Sequence, residues 1–80
     1  MSRPSVVQRR VLEELARGGH IEDEGRYQML CKADGYSVRV KLTRDTYGAL
    51  RAQGWLAETA PRVWRLSGAG RLVALNGGKR

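Results

Sequence analysis

The sequence predicts a single α+β domain over residues 1–80, in the order helix, β-hairpin, helix, β-ribbon, short helix. Three observations carry this prediction. Apolar residues recur at helical spacing after Ser5, two alternating segments flank Asp34-Gly35, and a second capped helix precedes two short strand-like segments. A chain of 80 residues suffices for one layer of contacts between a few helices and a small sheet.

The first predicted helix begins after Ser5, which forms a capping-box pattern with Gln8, and ends at Gly18-Gly19. We expect its apolar face to pack in the core: Val7, Val11, Leu12, Leu15 and Ala16. The acidic segment 20–25 is expected to be a loop from which Ile21 alone returns to the core. His20 is expected to be exposed and is assigned no role.

Asp34-Gly35 is typical of a two-residue hairpin turn. If Ala33 pairs with Tyr36, one face carries apolar or amphipathic pairs: Cys31 with Val38, Met29 with Val40, and Tyr27 with Leu42. The opposite face then carries Gln28, Leu30, Lys32, Ser37, Arg39 and Lys41. A short helix over residues 23–31 is the alternative. Cys31 is interpreted as a small buried apolar residue.

Thr43 is expected to cap a helix from Arg44 to Gln53, with Tyr47 and Leu50 facing inward and Gly54 just beyond its end. Residues 55–58 and 62–66 predict two strands joined by a turn at 59–61, with both tryptophans as core anchors rather than base-stacking platforms. A last helix, capped by Ser67 and ending at Leu75, is expected to add apolar residues to the core: Leu72, Val73 and Leu75. Residues 76–80 are expected to form a flexible basic tail.

Positive charge is concentrated in the later part of the chain. Residues 1–25 carry four basic and five acidic side chains, whereas residues 26–80 carry eleven basic and three acidic ones, a net charge of +8. Such asymmetry favours a polyanionic partner, of which nucleic acid is the commonest.

No recognisable catalytic constellation emerges from the sequence. The acids at 22–24 fall in the predicted loop, and Cys31 with His20 cannot supply four zinc ligands. We therefore expect a protein that is not an enzyme and that uses no cofactor and no metal. The single cysteine excludes an internal disulfide, and no apolar run approaches the roughly 20 residues of a membrane span. A cytoplasmic protein without a membrane partner is therefore expected.

Residues 42–75 resemble the second half of a winged-helix domain. The resemblance rests on a capped helix, the Gln53-Gly54-Trp55-Leu56 turn, a two-stranded ribbon and the segment Arg65-Leu66-Ser67-Gly68-Ala69-Gly70-Arg71. It implies that the Thr43 helix lies in a DNA major groove as a recognition helix. Two features depart from the family: a hairpin replaces the helix that usually precedes the recognition helix, and the predicted wing turn is short.

The resemblance also implies which residues contact DNA. Arg44 and Arg51 would face bases or phosphates, with Thr43 and Thr46 near phosphates, while the wing would contribute Arg62 and Arg65. Arg39 and Lys41, on the outer hairpin face, would extend the basic surface or form an ordinary solvated strand face.

These observations predict a small nucleic-acid-binding protein. Its expected function is that of a phage or bacterial DNA-binding transcriptional regulator, monomeric or homodimeric, with duplex DNA as partner. The alternative is a small phage-encoded inhibitor, for example an anti-CRISPR protein, that docks its basic face on an acidic protein surface of a host complex. An RNA-binding or ribosome-associated protein is a third hypothesis.

Overall fold

The computed structural model describes residues 4–32 and 39–77, which form three helices and five strands. In chain order these are α1 (Val6–Ala16), β1 (His20–Asp23), β2 (Gln28–Cys31), β3 (Arg39–Leu42), α2 (Arg44–Ala52), β4 (Leu56–Ala60), β5 (Val63–Leu66) and α3 (Gly68–Gly77). The predicted α+β class is confirmed, with one strand more than expected.

The five strands form one antiparallel sheet in the order β3-β2-β1-β5-β4. The central strand is β1, so the prediction of a loop at 20–25 is wrong for residues 20–23. This strand is short and mostly polar, and only Ile21 carries an apolar signal in it. Ile21 is fully buried, as predicted. Its neighbours Glu22 and His20 point to the opposite face of the sheet because side chains alternate along a strand.

The predicted hairpin is confirmed as the antiparallel pair β2–β3, and the alternative helix over 23–31 is wrong. The predicted register, however, is displaced by one residue, because Leu30 lies opposite Val40 and Gln28 opposite Leu42. A slip of one residue reverses the faces of a strand. Gln28 and Leu30, which were expected to face solvent, are therefore only 7% and 5% exposed. The predicted pair Ala33–Tyr36 and the Asp34-Gly35 turn lie outside the described residues.

The helices pack on one face of the sheet and enclose the core with it. Helix α1 has the predicted capping box, with Ser5 N donating to Gln8 Oε1 at 3.0 Å and Gln8 N donating to Ser5 Oγ at 3.1 Å. Val7 and Ala16 are exposed, contrary to prediction. The buried cluster comprises Val11, Leu12, Leu15, Ile21, Leu30, Leu42, Tyr47, Leu50, Trp55 and Leu56. Its members come from both layers, as a two-layer domain requires.

The second half follows the prediction more closely. Helix α2 is capped by Thr43 and ends before Gly54, which has the positive φ of a C′ glycine. The turn of the β4–β5 ribbon lies at Pro61-Arg62, slightly later than predicted. Both tryptophans pack in or against the core, as expected.

The last helix differs from its prediction at two apolar positions. The Ser67 hydroxyl accepts from Gly70 N at 3.0 Å and thus caps α3 as predicted. Leu72 and Leu75 are exposed, so their assignment to the core is wrong, whereas Val73 packs against it. The helix is only ten residues long and packs mainly against α1, with fewer contacts to β5. Among the described residues, no helix has the length and apolar character needed to cross a membrane.

Candidate nucleic-acid interface

Helix α2 presents a basic, exposed side that we call the α2 face, defined by Arg44, Asp45, Gly48, Arg51 and Ala52. The opposite side of the helix is buried through Tyr47 and Leu50. Arg44 and Arg51 are seven residues apart, which is two helical turns or roughly 10 Å along the axis. The structure thus brings these two predicted arginines to the same side of one helix.

The N-terminus of α2 is ordered by two threonines. Thr43 Oγ1 accepts from Thr46 N at 3.1 Å and donates to Thr46 Oγ1 at 2.8 Å. Thr43 is exposed beside Arg44. The first turn of a helix is favourable for anions because its amides point outward and the helix dipole is positive there. Asp45, which lies in this turn, places a negative charge at that end.

Gly48 lies between the two arginines and has no packing role within the described chain. A Cβ atom built there would find no described atom within 4 Å. Glycine inside a helix costs about 1 kcal/mol relative to alanine. A bare backbone at this point lets another molecule approach the helix closely.

Arg51 is held by two aromatic rings that were not predicted to contact it. Its guanidinium carbon lies 4.8 Å from the ring centroid of Trp64 and 5.5 Å from that of Tyr47. These rings pack edge to face, with centroids 6.2 Å apart. Because the guanidinium is planar, stacking on a ring leaves its edge donors directed outward. The aromatic pair therefore fixes the position of an exposed arginine.

A polar network anchors α2 to the turn between β1 and β2. Tyr47 Oη donates to Asp23 Oδ2 at 3.2 Å, and Asp23 Oδ1 accepts from Gly25 N at 2.9 Å and from Gln28 Nε2 at 3.1 Å. The Gly25 amide, followed by Gln28, lowers the pKa of Asp23. Burial, with a further contribution from the Asp23 carboxylate, raises the pKa of Tyr47 to about 12.

The remaining predicted contact residues lie elsewhere. Arg39 forms an ion pair with Glu22, and Lys41 lies 4.9 Å from the Tyr27 ring centroid. Both project from the sheet face opposite the helices, because they share a face with Glu22. The predicted residues Arg39 and Lys41 are thus separated from the α2 face by the sheet.

The two arginines of the predicted wing have different surroundings. Arg65 Nη1 donates to Gly18 O at 3.1 Å and to Gly19 O at 3.5 Å, where the chain leaves α1. Arg62 occupies the β4–β5 turn with a φ of 63°, and its N–H donates to Glu58 Oε2 at 3.1 Å. The Arg62 side chain is exposed, whereas Arg65 stabilises the end of a helix.

A groove of about 390 Å³ lies between α1 and the edge strand β3. Its apolar lining includes the exposed Val7 and Val40, the latter 41% exposed, together with buried Leu30 and Leu42. Charged and polar residues of α1, the β2–β3 pair and the start of α2 form the rest of the wall: Arg10, Glu13, Glu14, Lys32, Lys41, Thr43 and Thr46. The sequence predicted the apolar residues but not the groove.

A second cluster, on the sheet face opposite the helices, was missed by the sequence reasoning. One potential metal-ligand atom from each of His20, Glu22 and Cys31 lies within 4.8 Å of the other two. The assignment of Glu22 to a loop hid this arrangement, since only strand pairing places it beside Cys31.

Comparisons of the chain with protein-family models, with curated proteins and with solved structures find no match.

Proposed function

We propose that the protein is a DNA-binding regulator, not an enzyme, and that the α2 face enters the major groove of duplex DNA. The observation that carries this proposal is the pair of exposed arginines, Arg44 and Arg51, flanking Gly48 on one side of a capped helix. The major groove, about 12 Å wide, admits an α-helix. The net charge of +8 after residue 25 favours association with the phosphate backbone.

Three residues of the α2 face and the neighbouring Thr43 have specific roles in this proposal. Arg51, held on the rings of Trp64 and Tyr47, directs its edge donors toward a guanine or a phosphate. Arg44 and Thr43 contact a phosphate at the helix N-terminus. Gly48 removes the side chain that would otherwise hold the helix away from the groove.

The proposed shape is winged-helix-like, with α2 as the recognition helix and β4–β5 as the wing. Arg62, exposed at the wing turn, contacts a phosphate beside the groove. Arg65 supports the end of α1 instead of contacting DNA. Because strand β3 directly precedes α2, the sheet takes the supporting role that a preceding helix has in a helix-turn-helix.

The decisive variant is the double substitution Arg44→Ala and Arg51→Ala, compared with Arg17→Ala and Arg71→Ala. Both double variants remove two positive charges from exposed positions, but Arg17 and Arg71 lie outside the α2 face. We expect the first to lower the affinity for duplex DNA by at least about 100-fold, since one good bidentate contact alone contributes roughly 1–3 kcal/mol. The control should lower it far less.

Fluorescence anisotropy with a labelled duplex measures both affinities. Equal affinities for the two double variants would exclude α2 as the groove-binding helix. A normal far-ultraviolet circular dichroism spectrum is required of each variant before the comparison.

The groove between α1 and β3 favours a second candidate function, in which the protein inhibits a host complex by docking on it. Exposed Val7 and Val40 beside Arg10, Lys32 and Lys41 suit a partner surface that combines apolar and acidic side chains. Substitution of Val40 by Ser, which removes the apolar contact without changing the charge, should weaken docking of that kind and leave DNA binding unchanged. Pull-down of a defined protein by the wild type and not by Val40→Ser supports this candidate.

A further inference from the structure

We propose that His20, Glu22 and Cys31 form a binding site for one Zn²⁺ ion on the sheet face opposite the helices. His20 and Glu22 are two positions apart on β1 and therefore share a face of the sheet. Cys31 on β2 lies directly across from His20 in the antiparallel register and shares that face. Strand pairing thus brings three metal-binding side chains together, with ligand atoms within 4.8 Å of one another.

The distances are close to those of a metal site. His20 Nε2 and Glu22 Oε2 are 3.0 Å apart. Zinc bonds of about 2.0–2.3 Å place neighbouring ligand atoms of a tetrahedral site roughly 3.5 Å apart. A small rotation of the His20 and Cys31 side chains is therefore enough to bring nitrogen, oxygen and sulfur around one ion.

The chemistry of the donors favours zinc. An imidazole, a carboxylate and a thiolate are the three ligand types that Zn²⁺ binds in proteins, whereas magnesium and calcium prefer oxygen alone. Three protein ligands leave the fourth tetrahedral position to a water molecule. Cys31 is 8% exposed and the other two side chains are half-buried, so an ion can reach the site from solvent.

Arg39 holds the Glu22 carboxylate in position through one oxygen and leaves the other oxygen for the metal ion. Its guanidinium pairs with Glu22 Oε1, while the other oxygen, Oε2, faces His20. Ligating carboxylates are commonly held by such outer partners. Glutamate side chains are carboxylates at neutral pH, the form in which they bind zinc.

Zinc binding changes the protonation of its ligands, and the ligand charges offset that of the ion. The Cys31 thiol loses its proton to solvent as the sulfur–zinc bond forms. In the metal-free protein His20 Nε2 donates to Glu22 Oε2. On zinc binding this proton moves through solvent to Nδ1, and the neutral imidazole then binds the ion through Nε2. The resulting cluster holds the dipositive ion against two anionic ligands, Glu22 and Cys31, with the Arg39 side chain beside both.

The test uses the full chain, kept reduced, and Co²⁺ as a spectroscopic substitute for Zn²⁺. We expect one equivalent of Co²⁺ to produce a near-ultraviolet thiolate-to-metal charge-transfer band, which Zn²⁺ then abolishes by displacement. Zinc affinity is measured by competition with a chromophoric chelator, and proton release with a pH indicator.

Single substitutions identify the side chains that bind the metal ion. Cys31→Ala should remove the charge-transfer band, and His20→Gln should weaken zinc binding by at least about 100-fold, since loss of an outer partner alone costs 10–100-fold. Glu22→Gln should also weaken zinc binding, and its matched control Glu13→Gln, on α1, should bind zinc like the wild type. Circular dichroism verifies that each variant is folded.

The wild-type titration alone can overturn the proposal. Absence of a charge-transfer band at millimolar Co²⁺, or binding of equal affinity by wild type, Cys31→Ala and His20→Gln, would contradict the site. Because the cluster and the α2 face lie on opposite sides of the sheet, this result is independent of DNA binding.

Discussion

Asp23 accepts hydrogen bonds from three groups that belong to different parts of the fold: the Gly25 amide, the Gln28 amide group and the Tyr47 hydroxyl. Gln28 is the buried polar side chain in this network, and the hydrogen bond satisfies it. One carboxylate thus connects the β1–β2 turn to α2. Apolar packing of Tyr47 and Leu50 in the core also holds α2, and this contact adds a polar restraint on its position.

Tyr47→Phe tests the network. At neutral pH we expect a loss of about 1 kcal/mol in the free energy of unfolding, the usual net value of a hydrogen bond. Because the pKa of Tyr47 is raised to about 12, its contribution is fully present below the unfolded value of about 10 and is lost as the pH rises toward 12.

Urea unfolding at pH 8 and pH 11 measures this difference. The denaturation midpoint of the wild type should fall more between these pH values than that of Tyr47→Phe. An equal fall in both proteins would show that ionisation of Tyr47 is not coupled to folding.

At the scale of elements, replacement of Gly48 in α2 is expected to change the stability of the protein and its affinity for DNA in opposite directions. Gly48→Ala should raise the free energy of unfolding by about 0.5–1 kcal/mol, because alanine favours a helix and its Cβ meets open space. The same methyl group should lower the affinity for DNA if the helix backbone lies against the groove.

Gly70→Ala on α3 is the contrasting variant. Its Cβ would overlap the Trp55 carbonyl oxygen, so destabilisation is expected instead of a gain. Thermal unfolding and DNA titration of both variants check the prediction. A Gly48→Ala protein that is more stable and binds DNA as tightly as the wild type would contradict close approach of α2.

The elements that the sequence predicts well are those with local signals. Ser5, Thr43 and Ser67 each cap a helix as expected, because a cap depends on hydrogen bonds within one turn. Strand β1 was missed because its four residues carry one apolar side chain and one of its two partners, β5, lies far along the chain.

The register of the β2–β3 hairpin also could not be predicted from the local sequence. The predicted pairing maximised apolar pairs on one face, but β2 lies inside the sheet, where Leu30 and Cys31 are buried on opposite faces. Because consecutive residues of β2 are buried, it shows no simple alternation of buried and exposed positions, so apolar pattern alone does not fix its register. The prediction of Arg44 and Arg51 as exposed required only helical spacing, whereas their aromatic support required the tertiary fold.

At the scale of the whole molecule, the topology of the sheet determines where the positive charge lies. The sheet separates the predicted basic residues into two surfaces: Arg44 and Arg51 lie on the helix side, and Arg39 with Lys41 on the other. The positive charge therefore surrounds the domain instead of forming a single patch. All of the basic residues contribute to the long-range attraction of a polyanion, whereas only those on one side of the domain can contact it closely.

The most direct test is the affinity of the wild-type protein for a duplex of about 20 base pairs as a function of salt. With about four phosphate contacts, counterion release predicts a slope of roughly −3 to −4 in log affinity against log salt, a loss of roughly 100-fold between about 50 and 200 mM. Binding with that slope is the expected result. Failure to bind any duplex at about 50 mM salt would contradict the account.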